Sequence, residues 1–192
     1  MALFVMAIQV REKTIEEIEE KLLEMNTALN KIGYLESALK ATSFSFEIKR
    51  VLWGKLSELY EGRGMFERAA KAMANKAGVE VMFKDKIDSY ITAAELYSRV
   101  GKVYEADDMF LRASRDGDEK QRRAIKLARK NVYLVSAQGL EKKGKRASAA
   151  KFYEKLIKMN LENVEKLEIK HKLLDTYTAL GKFREAKLLE GL

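Results

Sequence analysis

The sequence predicts an all-α fold, an α-α superhelix of stacked antiparallel helix pairs. Three observations carry this. The 192 residues include no proline, and 47% are apolar against 34% charged; a mixture led by Ala, Leu, Glu, Lys and Arg enters helices at little cost. Four glycines, Gly64, Gly101, Gly144 and Gly181, recur at spacings of 37, 43 and 37 residues. Each glycine has the same kinds of neighbour at the same offsets. A period of this length marks a repeat architecture, in which each unit buries its apolar face only against adjacent units.

Four residues before the glycines stand Tyr60, Tyr97, Leu140 and Tyr177; five after them stand Ala69, Ala106, Ala149 and Ala186. Eleven before the first three are Trp53, Tyr90 and Tyr133, and nine after are Met73, Phe110 and Tyr153. Residues seven apart lie on one helix face, so Trp53 with Tyr60, Tyr90 with Tyr97, and Tyr133 with Leu140 form inward stripes. Each glycine ends a first helix, where a left-handed residue is often required. The alanine early in the second helix lets two backbones approach, as do Ser57, Ala94 and Ala137 seven before the glycine. Trp53, Tyr60, Tyr90, Tyr97, Phe110, Tyr133 and Tyr177 are the expected core. The helix from Glu119 is expected to run about 25 residues, burying Ala124, Ile125 and Ala128 early and Tyr133, Ala137 and Leu140 later. Those two faces differ by about a third of a turn.

Residues 1–13 form an apolar N-terminal segment, expected to pack against the first helices, with a strand possible at residues 2–10 and a membrane-touching or partner-capturing tail as the alternative. It has no basic stretch before its apolar run, Arg11 following instead, and ten residues are too few to span a bilayer. Residues 14–49 read as a divergent helix pair. Thr14 and Glu17 make a capping box. Ile15, Ile18, Leu22, Met25, Leu29 and Ile32 form a heptad seam, for which a short coiled coil is the alternative. Gly33 and Ala38 repeat the glycine-to-alanine offset. Residues 50–192 hold the repeats, in one continuous solenoid with residues 14–49.

The repeated pattern resembles the tetratricopeptide family over about residues 50–192. The departures are specific. The proline that usually follows the second helix is replaced by Val81, Asp118 and Leu161; Lys76 stands at a small or apolar position; Lys170 replaces the last aromatic. The 37- and 43-residue periods exceed the family's repeat of about 34. The stretch Ala93–Ala113 (AAELYSRVGKVYEADDMFLRA) is similar to the soluble attachment proteins of vesicle fusion. The resemblance implies a protein-binding scaffold or adaptor, with an adaptor joining an ATPase to a helical bundle as one alternative. Some family members hold C-terminal carboxylates with Lys and Asn on first helices. Here the matching positions are Gly54 and Glu58, Ile91 and Glu95, Leu134 and Gln138, which make no such clamp.

Residue chemistry argues against an enzyme. No cysteine is present, which removes disulfides, thiolate zinc sites and thiol nucleophiles and fits a reducing, cytoplasmic setting. His171 is the single histidine, with no second nitrogen or sulfur ligand near it in sequence. Gly139–Arg146 (GLEKKGKR) keeps phosphate-loop spacing, but Arg146 stands where magnesium needs a hydroxyl, and the preceding stripe is helical. The carboxylates Glu16, Glu17, Glu19 and Glu20, and Glu105, Asp107 and Asp108, read as solvated helix faces. No catalytic, cofactor-binding or metal-binding residue is assigned, and no small-molecule substrate is expected. From residue 112 to 158 there are 15 Lys and Arg against five Asp and Glu, a net +10 in a chain of +8, so the remainder is −2. Arg122, Arg123, Lys126, Arg129, Lys130, Lys142, Lys143, Lys145 and Arg146 are therefore the candidate partner-binding residues. They suit a protein with an acidic surface, with nucleic acid or an anionic membrane as alternatives and a solubilising surface as the plain reading.

Overall fold

In a computed structural model, residues 10–40 and 44–191 are described. Among them there are ten helices and no strand. The apolar run and the possible strand at residues 2–10 lie almost wholly outside the described residues. No helix among the described residues is long and apolar enough to cross a membrane. The chain divides into two compact units, Met1–Ala93 and Ala94–Leu192.

The first unit holds α1 (Ile15–Glu24), α2 (Ala28–Lys40), α3 (Phe46–Gly62), α4 (Phe66–Val79) and most of α5 (Phe83–Arg99). Thr14 caps α1 by accepting the Glu17 N–H at 3.2 Å. The capping box is only half made, because Glu17 Oε2 takes the N–H of Lys13 at 2.7 Å rather than that of Thr14. The heptad seam is cut after Glu24. Met25 turns extended, and Thr27 Oγ1 caps the next helix by accepting the Asn30 N–H at 3.2 Å. Local side-chain caps of this kind compete with helix continuation. Leu29 is accordingly exposed, while Leu22, Ile32, Leu35 and Ala38 are buried. Gly33 lies inside α2, so the first turn is not at the glycine.

The second unit continues with α6 (Val103–Asp116), α7 (Glu119–Lys142), α8 (Arg146–Ile157), α9 (Asn163–Ala179) and α10 (Phe183–Glu190). Asp118, at the place of the usual proline, starts α7 through a full capping box. Its carboxylate accepts the Gln121 N–H at 2.8 Å, and Gln121 Oε1 accepts the Asp118 N–H at 2.8 Å.

The four glycines make four copies of one turn. Gly64, Gly101, Gly144 and Gly181 have φ of 72°, 83°, 72° and 71°, and among the described residues no non-glycine residue has positive φ. After each, the N–H of Met65, Lys102, Lys145 or Lys182 reaches back to the carbonyl of Tyr60, Tyr97, Leu140 or Tyr177 at 2.8–3.0 Å. The glycine N–H bonds to Glu61, Ser98, Glu141 or Thr178 at 2.8–3.0 Å. This is the Schellman motif. It explains the large apolar residue four before each glycine: that residue supplies the carbonyl and buries its side chain as the chain reverses.

The expected crossing residues are buried, and in the first repeat they touch. Ser57 Oγ donates to the Ala69 carbonyl at 3.0 Å, and Ala69, Ala106 and Ala149 are fully buried. Tyr60, Tyr90, Tyr97, Phe110, Tyr133 and Tyr177 are in the core. Trp53 is only half-buried and walls a groove with Leu56, Tyr60 and Ala72. In α7, Ala124 is exposed and Ala128 half-buried, contrary to expectation. The buried residues Ile125, Tyr133, Ala137 and Leu140 follow an i, i+4 row that drifts by about a third of a turn from Ile125 to Ala137, so the buried face winds gradually along the helix. Arg129 falls on that same row.

Candidate functional site

The nine candidate cations do not form one surface. Arg122, Arg123 and Lys126 are exposed on the first turns of α7, and Lys142, Lys143, Lys145 and Arg146 are exposed at the α7–α8 turn. At a rise of 1.5 Å per residue, Lys126 and Lys142 are about 24 Å apart along the helix. Arg129 and Lys130 are half-buried between these clusters and paired inside the second unit. Lys130 Nζ bonds Glu165 at 2.6 Å. The outer arginines also have partners, since Arg122 Nε donates to the Ser114 carbonyl at 3.1 Å and Arg123 pairs with Glu119. Among the described residues, Lys126, Lys142, Lys143, Lys145 and Arg146 have no side-chain ion pair.

Arg129 is drawn in by Asp107, whose side chain is 14% exposed. Asp107 also accepts Tyr133 Oη at 2.8 Å and Lys155 Nζ at 2.7 Å. Burial alone would raise the Asp107 pKa, but the Lys155 and Tyr133 hydrogen bonds and the two cationic charges outweigh it and hold the carboxyl below its ordinary value. Asp107 is thus not the solvated acid expected, whereas its companions are more open: Glu105 pairs with Lys102 at 3.3 Å and Asp108 with Arg112 at 2.9 Å, the two acids 42% and 49% exposed. Glu16, Glu17, Glu19 and Glu20 are exposed, as is His171.

The turn 139–146 is the end of α7, a Schellman reversal and the start of α8, not a strand-to-helix phosphate loop. Its one carboxylate, Glu141, faces inward. Glu141 Oε2 accepts Tyr153 Oη at 2.8 Å and Oε1 accepts Thr176 Oγ1 at 2.9 Å. The four cations of the turn are therefore not balanced by it.

In the first unit, α3, α4 and the start of α5 line an open cavity of about 610 Å³ that includes Arg50, Gly54, Glu58, Lys76, Asp85 and Asp88. Glu80, which follows the last residue of α4, also lines it. Lys76, the departure from the repeat pattern, lies opposite Gly54, and Glu80 pairs with it at 3.5 Å. Sequence reading passed over Glu80; the available signal was a carboxylate four residues after an out-of-place lysine.

Four matching turns, each joining two helices and each followed by a buried alanine, make this an all-α protein of repeated helix pairs. No protein-family model matches the chain, and no curated protein matches it. Among solved structures, a chain from Podosopora anserina described as a kinesin light chain of nearly identical TPR-like repeats is similar to it. The two are 16% identical, with 92% of this chain and 89% of that chain covered, at a TM-score of 0.39.

Proposed function

We propose that the protein is an interaction scaffold that binds an acidic protein surface through its cationic edge, chiefly the α7–α8 turn. The supporting observation is the inward-facing Glu141, which leaves Lys142, Lys143, Lys145 and Arg146 exposed and uncompensated. Clustered uncompensated charge raises the local potential and the encounter rate of an oppositely charged partner. Arg122, Arg123 and Lys126 make a separate exposed cluster at the start of α7, whereas Arg129 and Lys130 serve the fold.

The test is titration of the full chain with hexaglutamate peptide and with a DNA duplex across salt concentration. Reversal of Lys142, Lys143, Lys145 and Arg146 to Glu is expected to weaken peptide binding by about tenfold, or 1.4 kcal/mol. A change below about twofold with helicity intact overturns the reading. Much tighter binding to the duplex, with a salt slope near −0.9 per phosphate contacted, would favour nucleic acid as the partner instead.

A further inference from the structure

A second, oppositely charged site lies in the first unit. The side chain of Glu80 is 2% exposed, and its Oε2 has no hydrogen-bond partner. Arg50 approaches Oε2 only to 3.6 Å and Lys76 approaches Oε1 to 3.5 Å, which offsets the charge without satisfying Oε2. A buried acceptor left in this state is costly and is satisfied when a donor enters the cavity. The rest of the lining favours a cation. Lys55 is committed to Glu19 at 2.7 Å, while Glu58, Asp85 and Asp88 are exposed and have no ion pair among the described residues. The chain between the lining residues Glu80 and Asp85 includes Val81, Met82 and Phe83, exposed by 78%, 63% and 65%. An apolar strip beside a polar cavity is the arrangement of a peptide-binding surface, where desolvated contacts flank a charged anchor.

We propose that this cavity takes the guanidinium of an arginine in a partner peptide, with Glu80 Oε2 as the inner acceptor and Asp85 and Asp88 at the mouth. Arginine suits it because its planar fork donates to several acceptors at once and is weakly hydrated. The volume is within the range of ligand pockets. Val81, Met82 and Phe83 would cover the apolar residues flanking the arginine.

The experiment is calorimetric titration of the full chain with capped hexa-arginine, hexalysine and hexaglutamate. Hexa-arginine is expected to bind more tightly than hexalysine. Glu80→Gln, and separately Asp85→Asn with Asp88→Asn, should each weaken hexa-arginine by about tenfold. Glu162→Gln with Glu168→Gln, which removes two exposed charges in the second unit, should change it by less than about twofold. The paired Asp85 and Asp88 variant alters only exposed side chains, so it decides the matter if Glu80→Gln fails to fold. Site variants no weaker than the second-unit control would overturn the proposal. So would hexaglutamate binding that Arg50→Ala abolishes, because the cavity would then select anions.

Discussion

Tyr133 Oη lies 2.8 Å from Asp107 Oδ1, and the same carboxylate binds Lys155 at 2.7 Å and pairs with Arg129. Four other buried tyrosines repeat the relationship. Tyr34 bonds Glu12 at 2.9 Å, Tyr153 bonds Glu141 at 2.8 Å, Tyr177 bonds Glu154 at 2.9 Å, and Tyr60 bonds Glu36. A buried phenol needs an acceptor, and here a carboxylate supplies it. Asp107→Ala would strand a phenol and two half-buried cations. The expected loss is about 2–4 kcal/mol in urea denaturation, with Asp107→Asn losing less. A loss under about 1 kcal/mol would show that Asp107 is not the hub of this cluster.

The lowered Asp107 pKa sets an acid limb. A depressed carboxyl contributes stability above its unfolded value, about 4, and that contribution is lost as pH falls through the lower folded value. Wild type and Asp107→Asn should therefore converge in stability as pH drops below about 4. A gap that stays constant from neutral pH to pH of about 2 would contradict the linkage.

The tyrosines set an alkaline limb. Burial, then the hydrogen bond to Glu36 and its charge, push Tyr60 up to about 12, against the opposing Arg68 charge. Tyr34, Tyr133, Tyr153 and Tyr177 are raised further, by burial first and then by their bonds to Glu12, Asp107, Glu141 and Glu154. A raised phenol contributes stability in full below its unfolded value, about 10, and loses it as pH rises through the folded value. Phenolate absorbance from these rings should appear together with loss of helical circular dichroism above pH of about 10. Complete ionisation of the rings with helicity unchanged would refute this.

Arg129 and Lys126 are three residues apart on α7 but should behave differently. Arg129 stacks over the Tyr133 ring at 5.5 Å and pairs with Asp107, so Arg129→Ala should cost about 2 kcal/mol. Lys126 is exposed without an ion pair, and Lys126→Ala should stay within about 0.5 kcal/mol. Equal effects in thermal or urea denaturation would mean that α7 does not present these faces.

The repeat was legible because its turns depend on backbone conformation that only one residue type adopts readily, and Gly64, Gly101, Gly144 and Gly181 announce it. Gly33 misled because an offset does not encode φ, and the Thr27 cap decided the turn there. Arg129 was assigned to the cationic surface because charge counting ignores helix phase; it shares the core row of Ile125 and Tyr133. Asp107 and Asp108 are adjacent in sequence, yet one is a buried hub and the other is solvated, a difference set by partners 22 to 48 residues away. Glu80 was invisible for the same reason, since its nearest cation besides Lys76 is Arg50, 30 residues away on another helix.

Three glycine-to-alanine substitutions should separate conformation from packing. Gly54 is inside α3, and an added Cβ would meet only the Lys76 side chain, at 3.9 Å, an ordinary contact. Glycine within a helix costs about 0.5–1 kcal/mol relative to alanine, so Gly54→Ala should stabilise by about that amount. Gly64 has φ of 72° with nothing within 4 Å of an added Cβ. Its substitution should cost about 1 kcal/mol from conformation alone. Gly101 combines φ of 83° with Ser148 Cβ and Oγ at 3.1 Å, so the neighbouring helix must also shift, and the cost should reach about 2 kcal/mol. Urea denaturation should rank the proteins Gly54→Ala, wild type, Gly64→Ala and Gly101→Ala in falling stability. If Gly101→Ala matched Gly64→Ala, the close approach of α8 to that turn would be wrong; if Gly54→Ala were destabilising, the open space opposite Lys76 would be wrong.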